Sequence, residues 1–252
     1  MCRYADWQPQ GRRGKLMYQF DEARPTPHLL HDIVKGNIWD TQPLNIFGFN
    51  RTVGTAYETI WDDGGNYVYP SSAVAMSVVS SSASDTMEVL INGLDANYDA
   101  ISETVTLTGT SAVTTSATFF RINSAVILAG SNVGDISISN GGTKYAFIGA
   151  EIGTTQSSVY TVPAGHSIYL FRIDCTSGTV NGQKYLYLRN VAKNAAGRTL
   201  RVAEATFSQS ISFDRQVPFR IDEKTDFHFE CKSSSSDNEV SIFVEAILVR
   251  NS

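Results

Sequence analysis

The stretch LDANYDAISETVTLTGT, Leu94 to Thr110, decides the fold class. In its second half Ile101, Val105 and Leu107 fall on one side of an extended chain, and Ser102, Thr104, Thr106 and Thr108 fall on the other. Successive side chains of a strand point to opposite faces, so this period of two marks a strand with one face in a core and one in water. The first half places Asp95, Asn97 and Asp99 at the spacing that opens a calcium loop. Such a loop needs Gly at its sixth position and Glu at its twelfth, where this chain has Ala100 and Thr106. The segment therefore reads as a polar turn between two strands.

Working outward, the same pattern recurs. AYETIWD runs into Gly64-Gly65 and NYVYP, and AVAMSVVSSSASDTMEVLING holds two strands around a Ser-Asp turn. GDISIS and TKYAFIGAEI flank Gly141-Gly142. In DFHFEC, Phe227, Phe229 and Cys231 share one face, with His228 and Glu230 opposite. The last strand has Val240, Ile242, Val244, Ala246 and Leu248 on one face and Phe243, Ile247 and Val249 on the other, which predicts burial on both sides. Many short strands between Gly, Pro, Asn, Asp and Ser predict an all-β protein, an antiparallel β-sandwich or jelly-roll-like body. Helix should make up under about a tenth of the chain, against roughly a third in ordinary domains.

Residues 1–50 differ. Pro25, Pro27 and Pro43 punctuate PTPHLLHDIVKGNIWDTQP, and between them Leu29, Leu30, Ile33 and Val34 have helix-like spacing. We read 1–50 as an extended N-terminal arm whose apolar Leu29, Leu30, Ile33, Val34 and Trp39 bind a partner subunit. The body divides near Glu151–Thr155 into 51–152 and 153–252, either as two parts or around one shared core.

The totals narrow the function. The chain has 252 residues, enough for a substantial core, with 18% charged residues and a net charge of −5. An acidic chain gains little from neutralising phosphate, which disfavours a dedicated nucleic-acid binder. The basic cluster Arg12, Arg13 and Lys15 reads as a solvated arm. Cys2, Cys175 and Cys231 are odd in number and form no CxxC, so they predict buried thiols and synthesis in a reducing cytoplasm. The N-terminus lacks the apolar core of a signal peptide, and no stretch approaches the ~18 apolar residues of a membrane span.

Candidate sites fail on their partners. In YTVPAGHSIYLFRI, Pro163 and Gly165 supply the backbone of a turn, with Pro163 at its first central position, so His166 is a turn-flank residue that opens a strand. His28 and His31 sit at i, i+3 but lack a third ligand at metal spacing. Asp62 and Asp63 are adjacent, so in a strand they would diverge, and they read as turn residues before Gly64. Cys175 has no local histidine. No catalytic, cofactor or metal site is predicted. Sugar stacking would need exposed aromatic rings, for which Trp7, Trp39, Trp61, Tyr67, Tyr69, Tyr185 and Tyr187 are the candidates.

Five segments in order carry a resemblance: FGFNRTVGTAYETIWDDGGNYVYPSSA, INGLDANYDAISETVTLTGTSAVTTSATFFRI, ISISNGGTKYAFI, YTVPAGHSIYLFR and VPFRIDEKTDFHFECKSSSSDNEVSIFVEAILV. Together they resemble a widespread family of tailed-bacteriophage virion structural proteins, common in phages of aquatic bacteria. The resemblance runs from about Phe47 to the C-terminus. It implies a non-enzymatic protein of the virion, made in the host cytoplasm, whose partners are copies of itself and other phage virion proteins. It carries over no catalytic residue, and it leaves open neck, tail and capsid, with a decoration protein or a carbohydrate-binding tail module as alternatives.

Overall fold

The computed structural model describes residues 29–178, 185–235 and 238–251. Among these are sixteen strands and one six-residue helix, α1 (Leu29–Val34). The strands are β1 (Thr41–Val53), β2 (Glu58–Thr59), β3 (Val74–Ser80), β4 (Glu88–Leu94), β5 (Ala100–Thr106), β6 (Val113–Phe119), β7 (Arg121–Ile127) and β8 (Ile136–Asn140). They continue with β9 (Thr143–Ile148), β10 (Tyr160–Thr161), β11 (His166–Ser177), β12 (Leu186–Lys193), β13 (Thr199–Phe207), β14 (Ser210–Ile221), β15 (Asp226–Ser233) and β16 (Asn238–Arg250).

Two antiparallel sandwiches result, and they are nested in the chain. Sheets β6-β3-β8-β9 and β5-β4-β7 enclose one core, built from Met76, Val78, Ile91, Phe119, Ile136 and Ile148 among others. Sheets β1-β16-β11-β14 and β10-β15-β12-β13, with β2 beside β15, enclose the other, built from Ile168, Val240, Ile242, Phe227 and Phe229 among others. The first sandwich is thus inserted between β2 and β10 of the second. The expected all-β sandwich class holds, and the two halves have separate cores.

The arm boundary requires correction. Residues 41–50 are not arm but most of β1, which pairs along its length with β16, from Thr41 opposite Val249 to Asn50 opposite Val240. Pro43 concealed the strand, yet proline is tolerated there because β1 lies at the edge of its sheet and need not donate on its free side. The division near residue 152 also lets β1 and β2, with Ile46, Val53 and Ile60, join the C-terminal core.

β16 is buried along one face and in part on the other. Val240, Ile242, Val244 and Ala246 lie in the core, whereas on the opposite face Ile247 is buried but Phe243 is 38% exposed. The expectation of burial on both sides is thus met at Ile247 and fails at Phe243.

The turns follow the local chemistry. Asp95 Oδ1 accepts from the backbone N–H groups of Asn97 and Asp99, closing the β4–β5 hairpin as a polar turn. At the other quoted turn the His166 N–H donates to the Pro163 carbonyl at 3.3 Å, so Pro163 is the first corner, not the first central residue. Gly165, at φ 69°, takes the central position that a side chain disfavours. His166 then opens β11, with its Nδ1 2.9 Å from the Ala164 carbonyl oxygen.

Candidate functional site: a junction cluster and two exposed faces

Titratable groups gather where the two sandwiches meet. Arg121 opens β7 of the inserted sandwich, and Asp226 opens β15 of the other. Arg121 Nε donates to Asp226 Oδ1 at 2.7 Å, and its Nη2 donates to Oδ2 at 2.8 Å. Nη1 donates to the carbonyls of Pro70 and Phe120 at 2.9 and 2.7 Å. The guanidinium carbon lies 3.8 Å from the Phe120 ring centroid, 5.1 Å from that of Tyr69 and 5.8 Å from that of Tyr98. Thr161 Oγ1 adds a 2.7 Å hydrogen bond to Asp226 Oδ1. Both charged side chains are only 7% exposed.

A planar fork suits this position because it meets a carboxylate with two parallel donors. Burial opposes the Arg121 charge, but the Asp226 carboxylate outweighs it and holds the guanidinium protonated. Burial also drives the Tyr69 hydroxyl well above its ordinary range, reinforced by Asp226. Around this pair, Asn123 exchanges hydrogen bonds with the Thr161 backbone, and Tyr69 donates to the Phe227 carbonyl. The donors and acceptors are committed to one another, so the cluster fixes the junction.

Asp85 is a second satisfied carboxylate. Burial raises it, but Ser80 Oγ at 2.5 Å and the N–H groups of Val133 and Gly134 at 2.8 and 2.9 Å prevail, so its pKa falls. Asp62 goes the other way. Burial raises it more than Arg51, 3.2 Å from Oδ1, lowers it, and Oδ2 has no hydrogen-bond partner. Asp62 and Asp63 are the central residues of a turn that Trp61 begins, since the Gly64 N–H donates to the Trp61 carbonyl.

These opposite shifts set opposite pH slopes. Asp85 contributes stability at neutral pH that is lost as pH falls through its depressed folded pKa. Asp62 takes a proton more readily folded than unfolded, so its contribution weakens as pH rises from its ordinary range to its raised folded value. Asp62→Asn should remove that second slope and leave stability at pH 7 unchanged or up to about 1 kcal/mol higher. Thermal melts of both proteins from pH 4 to 8 test this, and a clear loss at pH 7 would contradict it.

Other candidates resolve as follows. Cys175 and Cys231 are free and buried in one core, and burial pushes the Cys231 thiol up to about 12, which removes it as a nucleophile at neutral pH. Trp61 and Tyr67 are buried and pack edge to face at 5.2 Å, with Tyr69 5.0 Å from Tyr67, so these three rings are core rather than sugar platforms. Among the described residues, no three His, Cys, Asp or Glu side chains gather as a metal site. His28, Cys2, Trp7, Arg12, Arg13 and Lys15 lie outside the described residues. A cleft of about 400 Å³ opens beside Ala192, Arg198, Leu200, Phe219 and Ile221. Its two acids are engaged, Asp222 by Arg220 at 2.9 Å and Glu223 by the Gly165 N–H at 2.6 Å.

Two outer faces carry what remains. The expected partner-binding set divides. Ile33 is 4% exposed on a helix that contacts β1, so its own chain already covers it and it is withdrawn from that set. Val34 is exposed and Trp39 is 78% exposed, while the side chains of Leu29 and Leu30 lie outside the described ones. Further along β1, Phe47 pairs in register with Phe243, and these rings are 40% and 38% exposed. Alternation in FGFNR and SIFVE placed both phenylalanines opposite the core face, a signal that the expectation of two-sided burial obscured. The other face belongs to β12 and β15 and carries Tyr185 and Tyr187.

No protein family matches the chain, and no curated protein matches it. Among solved structures, the infectious bursal disease virus Gt strain aligns at 11% identity over 84% of this chain and 78% of its own, with a TM-score of 0.18. The VP2 subviral particle of the same virus aligns at 10% identity over 84% and 77%, with a TM-score of 0.18. Likeness of this degree carries no argument about fold or function.

Proposed function

We propose that the protein is a repeated, non-catalytic structural component of a tailed-phage virion, seated at the neck or tail and assembled with copies of itself and other virion proteins. The observation that carries the reading is the set of exposed apolar side chains before β1, on β1 and on the neighbouring β16, namely Val34, Trp39, Phe47 and Phe243. Leaving apolar area in water forgoes about 25 cal/mol per Å², which a subunit contact recovers. The five ordered segments resembling phage virion proteins support it further. The neck or tail is favoured over a capsid decoration protein because a two-sandwich body with a docking segment suits a ring built through one repeated interface.

Immunogold labelling or a cryo-EM map of the intact particle tests the location, with density at one vertex or along the tail as the expected result. Even labelling of the head would move the protein to the capsid, and its absence from purified particles would overturn the proposal. At residue level, Trp39→Ala and Phe243→Ser should each reduce incorporation several-fold while leaving the isolated protein folded. Normal incorporation of both variants would remove these side chains from the interface.

A further inference from the structure

The outer face of β12 and β15 differs in chemistry from the apolar face. Register places Tyr187 beside Lys232 and Thr206, and Arg189 beside Glu230 and Glu204. One step beyond, Tyr185 and Ser234 bond through their backbones, and Tyr185 is 50% exposed. Tyr57, from the segment between β1 and β2, lies across this face. Its ring centroid is 3.7 Å from the Arg189 guanidinium carbon and 4.7 Å from Lys232 Nζ, and its hydroxyl donates to Glu204 at 2.7 Å. Lys232 Nζ is also 5.0 Å from the Tyr187 ring. Arg189 in turn pairs with Glu230.

We infer that this face binds a neutral polysaccharide, with Tyr185 and Tyr187 as stacking rings and Lys232, Glu204 and Thr206 as hydroxyl partners. A pyranose ring offers an apolar C–H face to an aromatic ring and a rim of hydroxyls that both donate and accept. Tyr185 and Tyr187 supply the first requirement, and the mixed donors and acceptors supply the second. Charge balance selects the ligand: Arg189 and Lys232 face Glu204 and Glu230, so the rows are neutral and favour an uncharged chain. The cation clamps on Tyr57 and Tyr187 hold the rings in place before binding, so little side-chain entropy is lost when a ligand arrives. The inference does not depend on the virion assignment.

Affinity electrophoresis of the full chain through gels containing dextran, laminarin, galactomannan or alginate tests it. Retardation by at least one of the three neutral polymers is expected. Tyr185→Ala and Tyr187→Ala should each weaken it about threefold to tenfold, while His166→Ala leaves it unchanged. Far-UV spectra confirm that each variant keeps its fold. Retardation by none of the neutral polymers, retardation by alginate alone, or full binding by both tyrosine variants would each overturn the inference.

Discussion

Arg121→Met should lower the unfolding free energy by about 3–5 kcal/mol, because it leaves the Asp226 carboxylate buried without its counter-charge. The wild-type cost of desolvating both groups is offset by two parallel charge-assisted hydrogen bonds and by the Pro70 and Phe120 carbonyls. The variant keeps the desolvated carboxylate, supported only by Thr161 Oγ1, and orphans both carbonyls. Buried pairs often replace well by hydrocarbon, so the double variant Arg121→Met, Asp226→Leu should recover much of the loss. Urea denaturation of the single and double variants measures this. A loss below about 1 kcal/mol for the single variant would mean that the junction does not depend on the pair. Because Arg121 and Asp226 open strands of different sandwiches, the single variant should also separate one unfolding transition into two.

Nothing local in the sequence announces this pair, which is separated by 105 positions. The available signal was one-sided: Arg121 is the one charge in FFRINSAVIL, whereas Asp226 sits in the charged stretch DEKTDFHFE and does not stand out. Such a charge demands a partner, but the sequence does not name it. What was legible was local: the β5 alternation, the Asp95 turn, the Gly165 turn and the faces of β15, each set by two to five adjacent residues. What was not legible was pairing across the chain. β1 was hidden because its strand character depends on β16, nearly the whole length of the chain away, and because Pro43 argues against a strand unless the position is known to be an edge. The candidate faces divide in the same way. Tyr185 and Tyr187 could be named from sequence, but Tyr57, Lys232 and Glu204, which complete their surface, arrive from three other strands or connections.

Gly93→Ala should cost about 3 kcal/mol, the upper part of the range for overpacking, although it adds one methyl group. Gly93 lies in β4 at a register shift against β7, opposite Ile122. A Cβ there would press against the Arg121 carbonyl oxygen, well inside contact distance, and lie 2.7 Å from Phe119 Cδ1. Neither neighbour can yield cheaply. The carbonyl is backbone, and Phe119 is fully buried in the inserted core. Relief requires β4 and β7 to separate locally, which would displace the Arg121 backbone and misalign its fork with Asp226. The losses from Gly93→Ala and Arg121→Met should therefore sum to more than the double variant shows, by about 0.5 kcal/mol or more, since both release the same junction. Gly178→Ala is the control: its Cβ would meet Glu239 atoms at 3.4 and 3.5 Å, ordinary contact, and should change stability by less than about 0.5 kcal/mol. Denaturation midpoints of these four variants against the wild type decide the matter. A Gly93→Ala variant as stable as Gly178→Ala would show that β4 and β7 have room to part, and additive losses would show that the tight contact and the ion pair act independently.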